Sequence, residues 1–302
     1  MLKPFRLLRP ATIEEASREL TRLGDQAKVY AGGVELLLLM RHGMVEAEYL
    51  VDIKRIPEMD VLSWDGQHLR IGACVTHRTL EDHRLVAEHL PLLAEAERHV
   101  GNVRVRSQGT LGGNLCFADP HADPGTVLLV HEATVTLAGA NGRRELPLAD
   151  FFRGMYDVAL EEGELLTGVS VPPLPAGWRG GYQRFEQFYR PTLNVAAAVR
   201  ADGDRLADVR LAAGCVGPQA TRLSDLEQRL RGLPLADALR LVGESAPYLE
   251  QRLEPIGDLL GSAAFKIHLT KVLIGRAITQ TLPSPAAFAV TVGPGGLGWG
   301  NP

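Results

Sequence analysis

Apolar positions near the start of the chain recur at helical spacing behind a capping box. In Thr12-Ile13-Glu14-Glu15 the Thr12 hydroxyl can accept from the third helical amide while Glu15 reaches back to the Thr12 amide. Ile13, Ala16, Leu20 and Leu23 then mark one helix face, and Gly24 closes it. Ala27 to Ala31 reads as a short strand, followed at once by Gly32-Gly33. Val34 to His42 continues as an apolar helix ending at Gly43, and Tyr49 to Ile53 is the next strand. In this strand, glycine turn, helix, strand order, loop amides and the positive end of the second helix can face a phosphate.

Leu69 to Ala73 gives another strand, and a helical stretch runs from near Thr79 to about His99 with a break at Pro91. Thr126 to Val130 is apolar. Ala133 to Gly139 and Arg144 to Leu148 flank Asn141-Gly142, the signature of a type I′ hairpin. Glu164 to Val171 is a strand stopped by Pro172-Pro173-Leu174-Pro175, which marks the best domain boundary. It separates residues 1–175, with subdomains of about 1–55 and 56–175, from residues 178–281. The second region begins with strands near Tyr182–Phe188, Val195–Arg200 and Ala207–Val216, with a turn at Ala201-Asp202-Gly203-Asp204. Helices follow, one lined by Leu223, Leu226 and Leu230 and another from Phe265 to Thr279. Strands first and helices after make this a smaller α+β domain. Residues 282–302, rich in Pro and Gly, read as a loosely attached tail.

A length of 302 residues accommodates two such domains, each with a core. The composition, 45% apolar and 23% charged, excludes disordered and collagen-like classes. A net charge of -4 leaves no electrostatic footprint for nucleic acid. The N-terminus lacks the apolar core of a secretory signal, and the longest apolar run, Val34 to Met40, is too short to cross a bilayer. A soluble, cytoplasmic protein is expected. Three widely separated cysteines, Cys74, Cys116 and Cys215, with no C-x-x-C, argue against a disulfide framework and against an iron–sulfur cluster held by this chain alone. His77, His83, His89 and His99 fall on different helix faces, which argues against a metal site.

The candidate chemistry lies in two glycine-rich stretches. Thr110-Leu111-Gly112-Gly113-Asn114 runs on into Ala118-Asp119-Pro120-His121-Ala122-Asp123-Pro124, and Ala31-Gly32-Gly33-Val34-Glu35-Leu36 precedes it. Paired glycines let backbone amides approach a bulky anion with no Cβ in the way. A lone pair is more often a tight turn, but two such loops suggest a dinucleotide gripped from two sides. Walker A, G-x-G-x-x-G, G-x-S-x-G and H-E-x-x-H are all absent. Cys116, Asp119, His121 and Asp123 could be drawn as a metal site, yet two interrupting prolines favour a turn cluster. A carboxylate beyond a glycine loop, as at Asp123, can accept from ribose hydroxyls.

The two glycine stretches, in this order and about eighty residues apart, resemble the FAD-binding loops of the flavoprotein (medium) subunits of molybdenum hydroxylases, the carbon monoxide and xanthine dehydrogenase family. The resemblance covers nearly the whole chain. It implies an α+β fold: a two-part FAD-binding domain of the vanillyl-alcohol-oxidase (PCMH) type, then a smaller C-terminal domain of the CO dehydrogenase flavoprotein type. By analogy Tyr30, Ala31, Gly32, Gly33, Val34, Glu35 and Leu36, with Thr110, Leu111, Gly112, Gly113 and Asn114, would hold the pyrophosphate and neighbouring FAD atoms. Asp123 matches an acidic cofactor contact, Leu165 an apolar residue beside the flavin ring, and Val100-Gly101 a further contact of the xanthine branch. The implied partners are a 2Fe-2S iron–sulfur subunit and a molybdopterin-binding large subunit, assembled as a dimer of heterotrimers. Two departures stand out. The family often has a Lys where this chain has Glu186 or Gln183, and no cysteine-rich insertion for a 4Fe-4S cluster lies between Cys116 and Ala133. The alternatives are a self-contained flavin oxidase and a flavin-free assembly subunit.

Overall fold

A computed structural model describes residues 2–186 and 190–282. A parallel sheet comes first: β1 (Arg6–Leu8), β2 (Ala27–Tyr30) and β3 (Tyr49–Asp52), in the order β1-β3-β2. The helix Ile13–Leu23 connects β1 to β2, and its Thr12 hydroxyl accepts from the Glu15 amide at 3.1 Å. Glu15 reaches back one residue further than the capping box predicts, to the Ala11 amide at 2.7 Å. The helix Val34–Arg41 carries β2 over to β3.

An antiparallel sheet follows, built from β4 (Leu62–Trp64), β5 (Leu69–Gly72), β6 (Thr134–Gly139) and β7 (Gly142–Pro147). After a small ribbon of β8 (Phe152–Gly154) and β9 (Asp157–Val158), β10 (Leu165–Val171) inserts at its centre, giving the order β4-β5-β10-β6-β7. The central position explains why β10 is buried on both faces, Thr167 and Ser170 included. The β6–β7 hairpin forms, but not with the predicted turn. Gly139 pairs with Gly142, so Ala140 and Asn141 fill the loop, and the positive φ falls on Gly142 alone (122°). Only the residue without a Cβ takes up the strained conformation.

The stretch expected to be helical from Thr79 starts at His77 and divides into three helices, His77–Asp82, Arg84–His89 and Pro91–Glu97. The extra break comes at His83, which is extended and caps the second helix by accepting from the Leu85 amide at 3.2 Å. The helix Val103–Gln108 escaped the periodicity reading, and the second glycine stretch, read as a loop, opens the helix Leu111–Phe117.

The last sheet, β11 (Trp178–Glu186), β12 (Pro191–Asp202), β13 (Arg205–Gly214) and β14 (Thr221–Arg222), is antiparallel in sequence order. The expected strand end at Phe188 lies outside the described residues, as does almost all of the tail. Period-two alternation splits β12 between two cores. Ala196 and Ala198 face the core of the first half, whereas Leu193, Val195, Ala197 and Val199 face a second core. Small residues on the first face let the helix Pro124–Val130 sit against β12 and β13. The second face is covered by the helix Ala263–Thr281 together with Ser224–Leu230, Leu235–Gly243 and Ala246–Leu253.

Candidate cofactor site

The first glycine loop joins β2 to the helix Val34–Arg41. Gly33 caps that helix in the left-handed region (φ 74°, ψ 2°), and Val34 turns at once into the right-handed one. Successive residues of opposite hand make a concave nest of amides suited to an anion. The N–H groups of Gly32, Gly33, Val34, Glu35 and Leu36 have no acceptor among the described residues. On the far side Lys54 Nζ donates to the Ala31 carbonyl at 3.1 Å, pairs with Asp52 at 2.7 Å and lies 3.5 Å from the centroid of the Tyr30 ring. In a trans peptide the carbonyl and the next N–H point in opposite directions, so this contact turns the Gly32 amide away from Lys54. The Tyr30 ring backs Gly33 so closely that a Cβ there would lie 2.3 Å from Tyr30 Cε2. Glu35 is half-buried, and burial pushes its carboxyl up against the opposing pull of Arg190, 3.8 Å away.

The second glycine stretch is built differently. Thr110 caps the helix Leu111–Phe117 by accepting from the Gly113 amide at 3.1 Å. Leu111 donates to the Val75 carbonyl, Gly112 to Ala73 and Asn114 to Thr110, at 2.9 to 3.0 Å. These amides are therefore satisfied within the protein. The two glycines divide the work. Gly112 is buried, with room for no Cβ beside Ala73 (2.5 Å), whereas Gly113 is exposed and a Cβ there would meet only Thr110 Oγ1. Asn114 Oδ1 is buried and has no donor among the described residues, an atom that calls for a partner.

Gly32 brings the two stretches together. A Cβ on Gly32 would lie 2.2 Å from the Gln108 carbonyl oxygen and 2.9 Å from Gly109 Cα. Gly101, the looser candidate, starts the other end of the Val103–Gln108 helix, exposed and at φ 47°. Leu165 opens β10 opposite Ala138 and is buried in the core of the first half.

Residues 118–124 form the seam with the last sheet. Asp123, 4% exposed, gathers three donors on Oδ1: the Tyr182 hydroxyl (2.6 Å), Arg184 Nε (3.0 Å) and Asn194 Nδ2 (3.2 Å). Its Oδ2 accepts from none of the described residues. Burial pushes the Asp123 carboxyl up, and Arg184 with the hydrogen bonds holds it down in part. The same burial, with Asp123 alongside, pushes the Tyr182 phenol up. Arg184 also pairs with Glu186, and Gln183 donates to Gln280, so Arg184 is a buried cation on this strand. Arg190 links the halves by pairing with Asp119 as well as Glu35.

Asp119 accepts from the His121 amide at 2.9 Å, and His121 Nε2 sits 3.3 Å from Asp258 Oδ2. These residues form a hydrogen-bonded turn, and no grouping that could hold a metal occurs among the described residues. Burial pushes the Cys74 and Cys116 thiols up to about 12, and all three cysteines are free. Lys54, Arg184, Arg190 and Asn194 escaped the sequence reading because each acts on a partner distant in sequence. Only tertiary contacts reveal them.

Free amides in a left–right nest, an Asn114 oxygen with no donor among the described residues and an open face over Gly113 make an arrangement suited to a dinucleotide. The chain belongs to the FAD-binding medium subunits of the molybdenum hydroxylase family. Residues 3–174 match the FAD binding domain in molybdopterin dehydrogenase, and residues 185–281 match the CO dehydrogenase flavoprotein C-terminal domain. The nicotine 6-hydroxylase medium subunit of Paenarthrobacter nicotinovorans is 32% identical over 92% of this chain and 98% of its own length. The carbon monoxide dehydrogenase medium chain of Hydrogenophaga pseudoflava is also 32% identical, over 92% and 97%. A solved structure of carbon monoxide dehydrogenase from that organism superimposes with a TM-score of 0.88, covering 93% of this chain and 98% of the other. Quinoline 2-oxidoreductase from Pseudomonas putida 86 gives 0.85 at 29% identity, over 93% and 98%. FAD is the cofactor of this family, and the chain is an oxidoreductase subunit. No described helix is long and apolar enough to cross a membrane.

Proposed function

We propose that the chain is the electron-transfer subunit of a molybdenum hydroxylase complex, taking electrons from the 2Fe-2S clusters of a partner subunit and passing them to an external acceptor. The observation that carries this reading is the run of free amides from Gly32 to Leu36, matched to a pyrophosphate by its nest geometry and by the helix dipole behind it. Tyr30 to Leu36 hold the pyrophosphate. Across from them Asn114 Oδ1 and the open face over Gly113 receive neighbouring cofactor atoms, and Asp123 Oδ2 accepts from a cofactor hydroxyl. Leu165 supports the site from the core and Gly101 lies at its margin. FAD supplies a centre that exchanges electrons one or two at a time, and the residues here bind and orient it.

The working unit is a medium subunit joined to a 2Fe-2S subunit and a molybdopterin-binding large subunit, as a dimer of heterotrimers in the cytoplasm. The chain itself divides at Pro172–Pro175 into the FAD-binding region 1–175 and the region 178–281. Substrate choice rests with the molybdopterin subunit. The test is to express the chain alone and with its neighbouring subunits, then add aldehydes and N-heterocycles. Dithionite should bleach the flavin in both preparations, whereas substrate should reduce it only in the complex. Reduction by substrate in the isolated, metal-free chain at a catalytic rate would refute the reading and favour a self-contained oxidase.

A further inference from the structure

A buried acid–imidazole pair lies behind the two glycine stretches, in a place where neither glycine motif would draw attention to it. His77 Nδ1 is 2.7 Å from Glu97 Oε2, with side chains 3% and 0% exposed. Glu97 Oε1 is buried and has no donor among the described residues. Such a pair is expensive to keep, because two polar groups leave water and one oxygen stays unsatisfied. Well-packed apolar residues would serve stability at least as well.

The location of the pair suggests what it does instead. The His77 amide donates to the Gly109 carbonyl at 3.0 Å. The His77 ring also lies against Gly109, where an added Cβ would come within 3.1 Å of Cδ2 and 3.0 Å of the Val105 carbonyl oxygen. The Gln108–Gly109 peptide, in turn, is the surface on which Gly32 rests. The order is therefore Glu97, His77, Gly109, Gly32, from the core outward to the free amides. Gly109 directly precedes Thr110, whose cap sets the second stretch. One stacked column thus fixes the distance between the two halves of the grip.

We propose that His77 and Glu97 are positioning residues for the cofactor: Glu97 orients the imidazole, and the imidazole holds Gly109 against Gly32. This rests on the assignment of the glycine stretches as the FAD site. Glu97→Ala frees the ring and should raise the Kd for FAD at least tenfold. Glu97→Gln keeps an acceptor for Nδ1–H in the same place and should stay within threefold of the parent. The double variant His77→Leu/Glu97→Leu should melt at or above the parent temperature as apoprotein, yet bind FAD at least tenfold more weakly.

Flavin fluorescence gives Kd and circular dichroism gives the melting temperature, with no turnover needed. A folded double variant that binds FAD within threefold of the parent overturns the proposal and leaves the pair a packing feature. A tenfold loss in Glu97→Gln also overturns it, since charge rather than placement would then matter. If the double variant does not fold, Glu97→Ala decides: unchanged affinity refutes the positioning role. A parent that binds no FAD, alone or in its complex, instead sinks the assignment of the site.

Discussion

Gly32 concentrates the constraints that join the two glycine stretches. The position a Cβ would take is filled by the Gln108 carbonyl and Gly109, while the Lys54 contact to the Ala31 carbonyl turns the Gly32 amide away from Lys54. Gly32→Ala places a methyl 2.2 Å from backbone that cannot swing aside. Overpacking of this kind costs about 1–3 kcal/mol, and here it opens the gap between the two stretches. The expected result is a rise of tenfold or more in the FAD Kd, with far-UV circular dichroism close to that of the parent. Asp123 carries a different constraint, since its Oδ1 is the common acceptor for Tyr182, Arg184 and Asn194. Asp123→Ala leaves the Arg184 guanidinium, 6% exposed, beside an empty place. Arg184 keeps its pair with Glu186, so what is lost is hydrogen bonds to a charged group, about 1.5–3 kcal/mol each. The variant should therefore lose thermal stability together with flavin, and a urea titration of the apoprotein separates the two losses.

Among the elements, the helix Pro124–Val130 is notable for the group that ends it. His131 caps the helix, and its Nδ1 donates to the Pro172 carbonyl at 2.9 Å, tying the helix to the proline turn. Burial pushes the His131 imidazole down to about 4 despite that bond, and Nε2 has no partner among the described residues. The unfolded chain takes up this proton near pH 6.5. Between about 6.5 and 4 the unfolded state thus binds more protons, and stability falls as the pH falls. The full contribution is about 3 kcal/mol, complete above pH 6.5 and lost toward pH 4. Melting temperatures at pH 7.5 and 5.0 should differ less in His131→Leu than in the parent. An equal difference in the two proteins would contradict the buried neutral histidine.

For the whole molecule, the seam matters more than either half. All three donors to Asp123, and Arg190 on Glu35 and Asp119, come from beyond the proline turn. The face of the last sheet that carries Ala196, Ala198 and Ala212 belongs to the core of the first half. A fragment of residues 1–175 would lose these partners and expose that core. It should elute as aggregate on size exclusion and bind FAD at least tenfold more weakly than the full chain. A monomeric fragment with the parent's affinity would mean that the second half contributes nothing to the site.

Local pattern alone was enough for the features whose causes are local. The Thr12 cap, the β2–Gly32-Gly33–helix unit and the strand character of β5, β6 and β10 follow from neighbours a few residues apart. So does the family, since both glycine stretches are contiguous in sequence and recur in order. Tertiary structure decided which of their amides remain free. The Gly112 and Leu111 amides are taken by Ala73 and Val75, and nothing in Leu111-Gly112-Gly113 foretells that pairing. It also decided that Asp123 sits under Tyr182, Arg184 and Asn194, and that His77 backs Gly109. Hydrogen bonds and buried charges are short-ranged in space and blind to sequence separation. A site assembled from residues far apart in sequence can therefore be read only once the chain has folded.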